Sequence, residues 1–283
     1  MLEVRPEEAA ESNVQHPREA SNLQPLRRIL SFTTIIAAGF VLGRLSGLLR
    51  EMVVSAAFGL SADLDAYFLA FTVPTIINNV VAGGTITVAI LPVLARYLAH
   101  GDRAEFWRVA SIVINSLAIL LALAVLVLEL FAPQLILILG GGYAAALQSS
   151  AVEMIRLILP AVFFLGMSGV ITGLLYSLKR FAYPAFTTAA YNLGIVVSAL
   201  ALTPLFGITS LVIGIIIGAA LQVLLQLPGL RGMHYQWTID FTHPALRAIL
   251  KLYLPVLAGL TISIVGVFID RNLASFTGAQ SLA

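Results

Sequence analysis

The stretch GRLSGLLREMVV, Gly43 to Val54, decides how this chain is read. It lies in the middle of an apolar run that begins near Leu30, yet it carries Arg44, Arg50 and Glu51. An arginine at the centre of a spanning helix costs about 2.5–3.5 kcal/mol on insertion scales, so such residues persist only where they face something other than lipid. Gly39, Gly43 and Gly47 recur every four residues and give a small-residue face on which a second helix can approach closely. Arg44 and Glu51, seven apart, lie nearly on one face, and Ser46 and Arg50 lie four apart. On a regular helix Arg44 and Arg50 point about 120° apart, so one cavity serves both only if it is wide or the glycines bend the helix. Arginine suits a phosphorylated ligand because it stays charged and grips oxygens with a planar fork.

Outward from this stretch, composition sets the class. With 59% apolar and 11% charged residues, the chain lies far from soluble domains, in which about a quarter of residues are charged. It reads as an integral membrane protein. There is no cysteine, so no disulfide framework or thiolate chemistry is available. Residues 1–25 are polar, acidic and proline-bearing, and are expected to be a disordered cytoplasmic tail. Hydropathy then gives seven spans, about 28–57, 64–98, 106–131, 149–178, 185–203, 208–230 and 245–276. With no alternating barrel pattern, backbone hydrogen bonding makes them helices.

Lysines and arginines set the topology. They cluster in the tail and its junction, at 96–108, at Lys179-Arg180 and at 231–251, and are missing from the connections near 58–63, 132–148 and 203–207. The positive-inside rule therefore places the N-terminus in the cytoplasm. Of the sixteen basic residues, Arg44, Arg50, Arg156 and Arg271 are left without a topological role. A shift of 220 residues lays LRRIL (26–30) on LRAIL (246–250) and Arg50-Glu51 on Asp270-Arg271. That shift equals a six-helix block, the parallel repeat of some transporters. The expected fold class is all-α, a polytopic transmembrane bundle. It divides into a six-helix lobe at 26–231, a cytoplasmic connection at 232–243 and the start of a second lobe at 244–283. Because the chain stops one span into that block, a C-terminally truncated protein is the expectation.

GRLSGLLREMVVSAAFG, followed by DAYFLAFTVPTIINNVVAGGTITVAILPVLARY at 65–97, resembles the N-terminal region of the MurJ/MviN family, lipid II flippases of the multidrug/oligosaccharidyl-lipid/polysaccharide (MOP) exporter superfamily. LLYSLKRFAYPAF (174–186), LQVLLQLPGLR (221–231) and IDRNLAS (269–275) are similar to the same family in order and spacing. The resemblance implies a transporter with two six-helix lobes and an extra pair. Such a protein moves a lipid-linked cell-wall precursor across the bacterial inner membrane by alternating access, in peptidoglycan synthesis. It also implies that Arg44 and Arg50 hold the substrate diphosphate, with Glu51 matching a family acid and Asp65 the aspartate opening the second span. The chain departs from the pattern at NNVVAGG: Asn78 and Asn79 stand where the family has two arginines, and Gly83 stands where it has an acid. Loss of two guanidinium groups removes charge-assisted diphosphate contacts, which puts lipid II itself in question as cargo.

Partners implied are a lipid-linked oligosaccharide diphosphate, membrane lipids and cell-wall synthesis proteins, with no nucleic acid. No cofactor or metal is expected. Coupling to the membrane potential or to a monovalent cation stays open, with Asp270 either a cation ligand or the ion-pair partner of Arg271.

Other readings of these residues are structural. Arg50 and Glu51 could pair with neighbouring helices and touch no substrate. Arg156, three after Glu153, reads as a local snorkelling pair, and Glu129 as interfacial. Gly140-Gly141-Gly142 reads as a flexible outer connection, and Gly214/Gly218 as a packing GxxxG. Pro74, Pro92, Pro160 and Pro255 interrupt spans and shape either a cavity or packing. His16, His100, His234 and His243 fall outside the spans with no metal-ligand spacing. An intramembrane enzyme would need a nucleophile with a base, or a metal site, and neither is found in the spans. The alternatives within transport are another MOP exporter, such as a drug/cation antiporter or polysaccharide-lipid flippase, and a degenerate paralogue acting as a partner protein.

Overall fold

The computed structural model describes residues 33–59, 61–81 and 85–276, and among them the regular structure is helical. The elements are α1 (Thr33–Phe58), α2 (Ala62–Val81), α3 (Thr85–Ala99), α4 (Arg103–Leu130), α5 (Ala132–Gly140), α6 (Ala145–Ser177), α7 (Ala182–Ala185), α8 (Thr187–Phe206), α9 (Thr209–Gln226) and α10 (Pro244–Ser275). A 3₁₀ turn, Leu227–Leu230, extends α9. Six of these, α1, α4, α6, α8, α9 with its 3₁₀ turn, and α10, are long and apolar enough to cross a bilayer. The chain is an integral membrane protein. The expected tail at 1–25 and Gly83 lie outside the described residues.

Two expectations need correction. The single span expected at 64–98 is described as two helices, α2 and α3, with residues 82–84 between them outside the described residues. The region read as an uncharged outer connection, 132–148, contains the helix α5. Pro133 sits in its first turn, where its missing N–H costs nothing, while Phe131 ends α4. Ala132, Ile136 and Leu139 of α5 are buried in the core, which is why an apolar segment without charge is helix here and not loop.

α6 is the spine. Its 33 residues outrun a bilayer, and its faces meet α2, α3, α4, α5 and α9. Two apolar clusters form around it. One joins α2, α5, the first half of α6, α8 and α9. The other joins α3, the first half of α4, Val170 and Leu174 of α6, and the first turns of α10. Without a hydrophobic drive between helices in lipid, close backbone contact and buried hydrogen bonds hold such a bundle. The α8–α9 hairpin shows the first: a Cβ on Gly194 would come within 2.6 Å of Gly218 Cα, and one on Gly218 within 2.5 Å of the Tyr191 carbonyl. Gly214/Gly218 is thus a packing motif. The α6–α9 seam shows the second. Gln226 Nε2 donates to Ser168 Oγ at 2.7 Å, Ser168 Oγ donates to Gln222 Oε1 at 3.0 Å, and Thr172 Oγ1 donates to Gln226 Oε1 at 2.9 Å.

The connections sort by charge as the sequence predicts. Arg103, Arg180, Arg231 and His234 line one cavity at one end of the bundle, while Ala62, Gly142, Ala146 and Ser275 line another at the opposite end. The glycine triplet at that second end is packed: Gly142 N donates to Ser275 Oγ at 2.9 Å, and a Cβ at Gly142 would strike the Ser275 backbone. It is the seat of the α10 C-terminus, not a flexible connection.

Candidate functional site at the α1–α2–α8 junction

The glycine face of α1 seats on α7 and α8. A Cβ on Gly39 would lie 2.6 Å from the Ala185 carbonyl, one on Gly43 3.2 Å from Thr188 Cβ, and one on Gly47 3.4 Å from Asn192 Nδ2. Small residues every four positions let the backbones close, and the freed polar groups meet across the seam. Asn192 Nδ2 donates to the Gly43 carbonyl and to Ser46 Oγ, both at 3.3 Å, while Ser46 Oγ donates to the Gly43 carbonyl at 3.0 Å. Arg50 Nη1 donates to Asn192 Oδ1 at 3.2 Å, and Arg50 Nη2 makes an ion pair with Glu51. The Arg50 side chain is 23% exposed and that of Glu51 56%, so the guanidinium is largely covered and the carboxylate opens outward. Tyr67 of α2 and Tyr191 of α8, both buried, lie within electrostatic reach of Arg50.

Arg44 stands apart. It is exposed, and it makes no hydrogen bond or ion pair with a described residue. At about 100° per residue, Phe40, Arg44, Glu51 and Ser55 share one stripe of α1, while Leu42, Leu45, Leu49 and Met52 form an exposed apolar stripe beside it.

The other predicted residues are placed as follows. Asp65 is fully buried in the first turn of α2, where the helix N-terminus favours a negative charge. Asn79 is exposed in the last turn of α2; the Asn78 side chain lies outside the described residues. Asp270 is exposed and Arg271 half-buried on α10, and among the described residues they form no ion pair with each other or with another group. The structure thus brings Arg50 and Glu51 together with Asn192, while Arg44 and Asp270 form no ion pair with a described residue. Four cavities of about 380 to 600 Å³ lie at the two ends of the bundle and along α10, and none of these is lined by α1.

Sequence reasoning missed two partners. Asn192, the one side-chain amide in α8, is 142 residues from Arg50; a lone polar amide amid an apolar span was the available signal. Arg156 is within electrostatic reach of Glu129 on α4, whereas the expected Glu153–Arg156 pair does not close among the described residues. No cluster of three or more metal-type ligands occurs among the described residues.

The family profile described as "Lipid II flippase MurJ" matches residues 54–283. The chain belongs to the lipid II flippase MurJ family. Arg44, Arg50 and Glu51 lie just ahead of the matched span. The chain is 26% identical over 264 residues to the "Lipid II flippase MurJ" of Burkholderia cenocepacia, covering 88% of this chain and 50% of that protein. It is 27% identical over 252 residues to the "Probable lipid II flippase MurJ" of Thermotoga maritima, covering 89% and 50%. The chain thus spans about half the length of the curated relatives it matches. Among solved structures, "Lipid II flippase MurJ, inward closed conformation" superposes with a TM-score of 0.75 at 24% identity, over 88% of this chain and 52% of that one. That likeness establishes the all-helical fold.

Proposed function

We propose that this chain supplies the N-terminal lobe of a flippase that moves a lipid-linked cell-wall precursor, a polyprenyl diphosphate saccharide, across the bacterial inner membrane. The cargo crosses by alternating access, and no covalent step is performed on it. The N-terminus stays in the cytoplasm, as the basic connections favour. The observation that carries this reading is Arg44: a guanidinium halfway along a spanning helix, exposed, unpaired with any described residue and beside an apolar stripe. Facing lipid it would be costly, so it faces water or an anion. A diphosphate oxygen bound there gains a charge-assisted bond worth about 1.5–3 kcal/mol. Arg50, steadied by Asn192 and Glu51, supplies the second contact, while Asp65 and Asn79 belong to the α2 side of the same lobe.

Outward movement of an anionic headgroup is favoured by an inside-negative potential by about 2.3 kcal/mol per charge per 100 mV, which is the energy source this reading requires of the membrane. A monovalent cation at the exposed Asp270 is the alternative coupling. Proteins that build the wall from the delivered precursor are the expected partners.

Complementation tests the proposal. In cells depleted of their own flippase, the gene's complete reading frame should restore growth, Arg44→Ala should abolish rescue, and Arg50→Ala should weaken or abolish it. A second reading rests on Asn78-Asn79 standing where the family has arginines: a MOP exporter of another cargo, or a paralogue acting as a partner protein. Wild type that inserts stably and fails to rescue selects that second reading.

A further inference from the structure

A second basic site lies at the arginine-rich end of the bundle, away from α1. Arg103 at the start of α4, Arg180 after α6, and Arg231 and His234 after α9 line a cavity of about 570 Å³. No carboxylate lines it. The acids nearby are engaged elsewhere: Asp102 accepts from Ala104 N and Glu105 N at 3.0 Å each, Glu105 pairs with Arg108 at 3.4 Å, and Asp240 accepts from Thr242 N and Oγ1. Leu98, Phe106, Trp107 and Leu178 supply an apolar floor.

The outer wall is held in place, although it runs through a connection. Arg180 Nη1 donates to the carbonyls of Gly229 and Arg231. Beyond Arg231 the chain has no regular secondary structure and is strapped to α4. Gln236 N donates to Ser111 Oγ at 3.0 Å, Asn115 Nδ2 donates to the carbonyls of Gln236 at 3.2 Å and Thr238 at 2.9 Å, and Tyr235 Oη donates to Asn115 Oδ1 at 2.6 Å. Two buried polar residues of a spanning helix thus fix a segment that turns Trp237, 77% exposed, and Phe241 outward.

We propose that this cavity binds the phosphodiester headgroup of an anionic membrane lipid, separate from the cargo path. Three guanidinium groups facing one unneutralised cavity repel one another, and a phosphate relieves that repulsion with planar, charge-assisted hydrogen bonds. The apolar floor fits the glycerol and the upper acyl chain, for which a free phosphate has no use. Basic pockets between spanning helices are where anionic headgroups bind.

The full chain in detergent micelles, incubated with phosphatidylglycerol or phosphatidylcholine and followed by native mass spectrometry, tests this. Wild type should retain phosphatidylglycerol over phosphatidylcholine, and Arg103→Gln/Arg231→Gln should lose that preference by about tenfold or more, the loss of two charged contacts. Arg247→Gln/Lys251→Gln removes the same charge from exposed turns of α10 and should keep the preference. The charge-retaining Arg103→Lys/Arg231→Lys should keep part of it and guards against misfolding of the glutamine variant. Equal retention by wild type and the Arg103/Arg231 glutamine variant overturns the site. Displacement of the lipid by an equal concentration of inorganic phosphate overturns the lipid as occupant and leaves a free-phosphate site.

Discussion

α1 and α10 are the two helices that the 220-residue shift relates, and they meet different fates. LRRIL precedes α1 in the sequence and LRAIL forms the first turns of α10, and each helix carries an arginine–acid pair at the same offset. On α1 the glycines bury a seam against α8, and Arg50 is caught between Glu51 and Asn192. On α10 a Cβ on Gly259 or Gly266 would meet nothing within 4 Å, and Asp270 and Arg271 stay unpaired among the described residues. α10 is tied by side chains to other helices instead, by Tyr253 Oη in its third turn to the Val80 carbonyl and by Asn272 Nδ2 near its end to the Ile138 carbonyl. What an intramembrane charge does is therefore decided by the helix across from it, and its own sequence motif is not enough.

The sharpest way to break this contrast is to enlarge the glycines. Gly39→Leu drives a side chain into the Ala185 backbone, which cannot rotate away, and should cost about 3 kcal/mol; Gly259→Leu should stay within about 0.5 kcal/mol of wild type. Reversible unfolding in mixed micelles measures both, and equal losses would erase the difference between the helices. Next in size is the amide anchor. Asn192→Ala removes two donated bonds and one accepted from a charged group, about 1–3 kcal/mol, whereas Asn272→Ala loses one exposed bond, about 0.5 kcal/mol. The smallest effect concerns the acids. If the stripe bearing Glu51 is hydrated, Glu51→Gln should shift stability by less than about 1 kcal/mol and Asp270→Asn by nothing measurable. A much larger loss at Glu51 would mean that its pair is shielded from water.

Much of the architecture was legible in the sequence. Apolar length marks the spans because helix is the structure that satisfies its own backbone in lipid, and the basic connections gather at one end as the charge bias requires. The glycine seam of α1 was legible from its four-residue spacing. α5 was hidden because an uncharged apolar segment reads alike as loop or helix. At the candidate site, Arg44, Arg50 and Glu51 stood out as charges in an apolar run. Asn192 and the Glu129–Arg156 neighbourhood did not, since they depend on which helices pack together, and local spacing carries no such information.

Because the chain contains no cysteine, single-cysteine labelling tests the central claim directly. Arg44→Cys and Ser55→Cys on one stripe of α1, and Leu45→Cys and Leu49→Cys on the adjacent apolar stripe, would be treated in intact membranes with a membrane-impermeant anionic thiol reagent. A water-filled chamber beside Arg44 predicts that positions 44 and 55 react while 45 and 49 stay protected. Protection of position 44 to the same degree as 45 would place the Arg44 face in lipid and contradict the anion clamp.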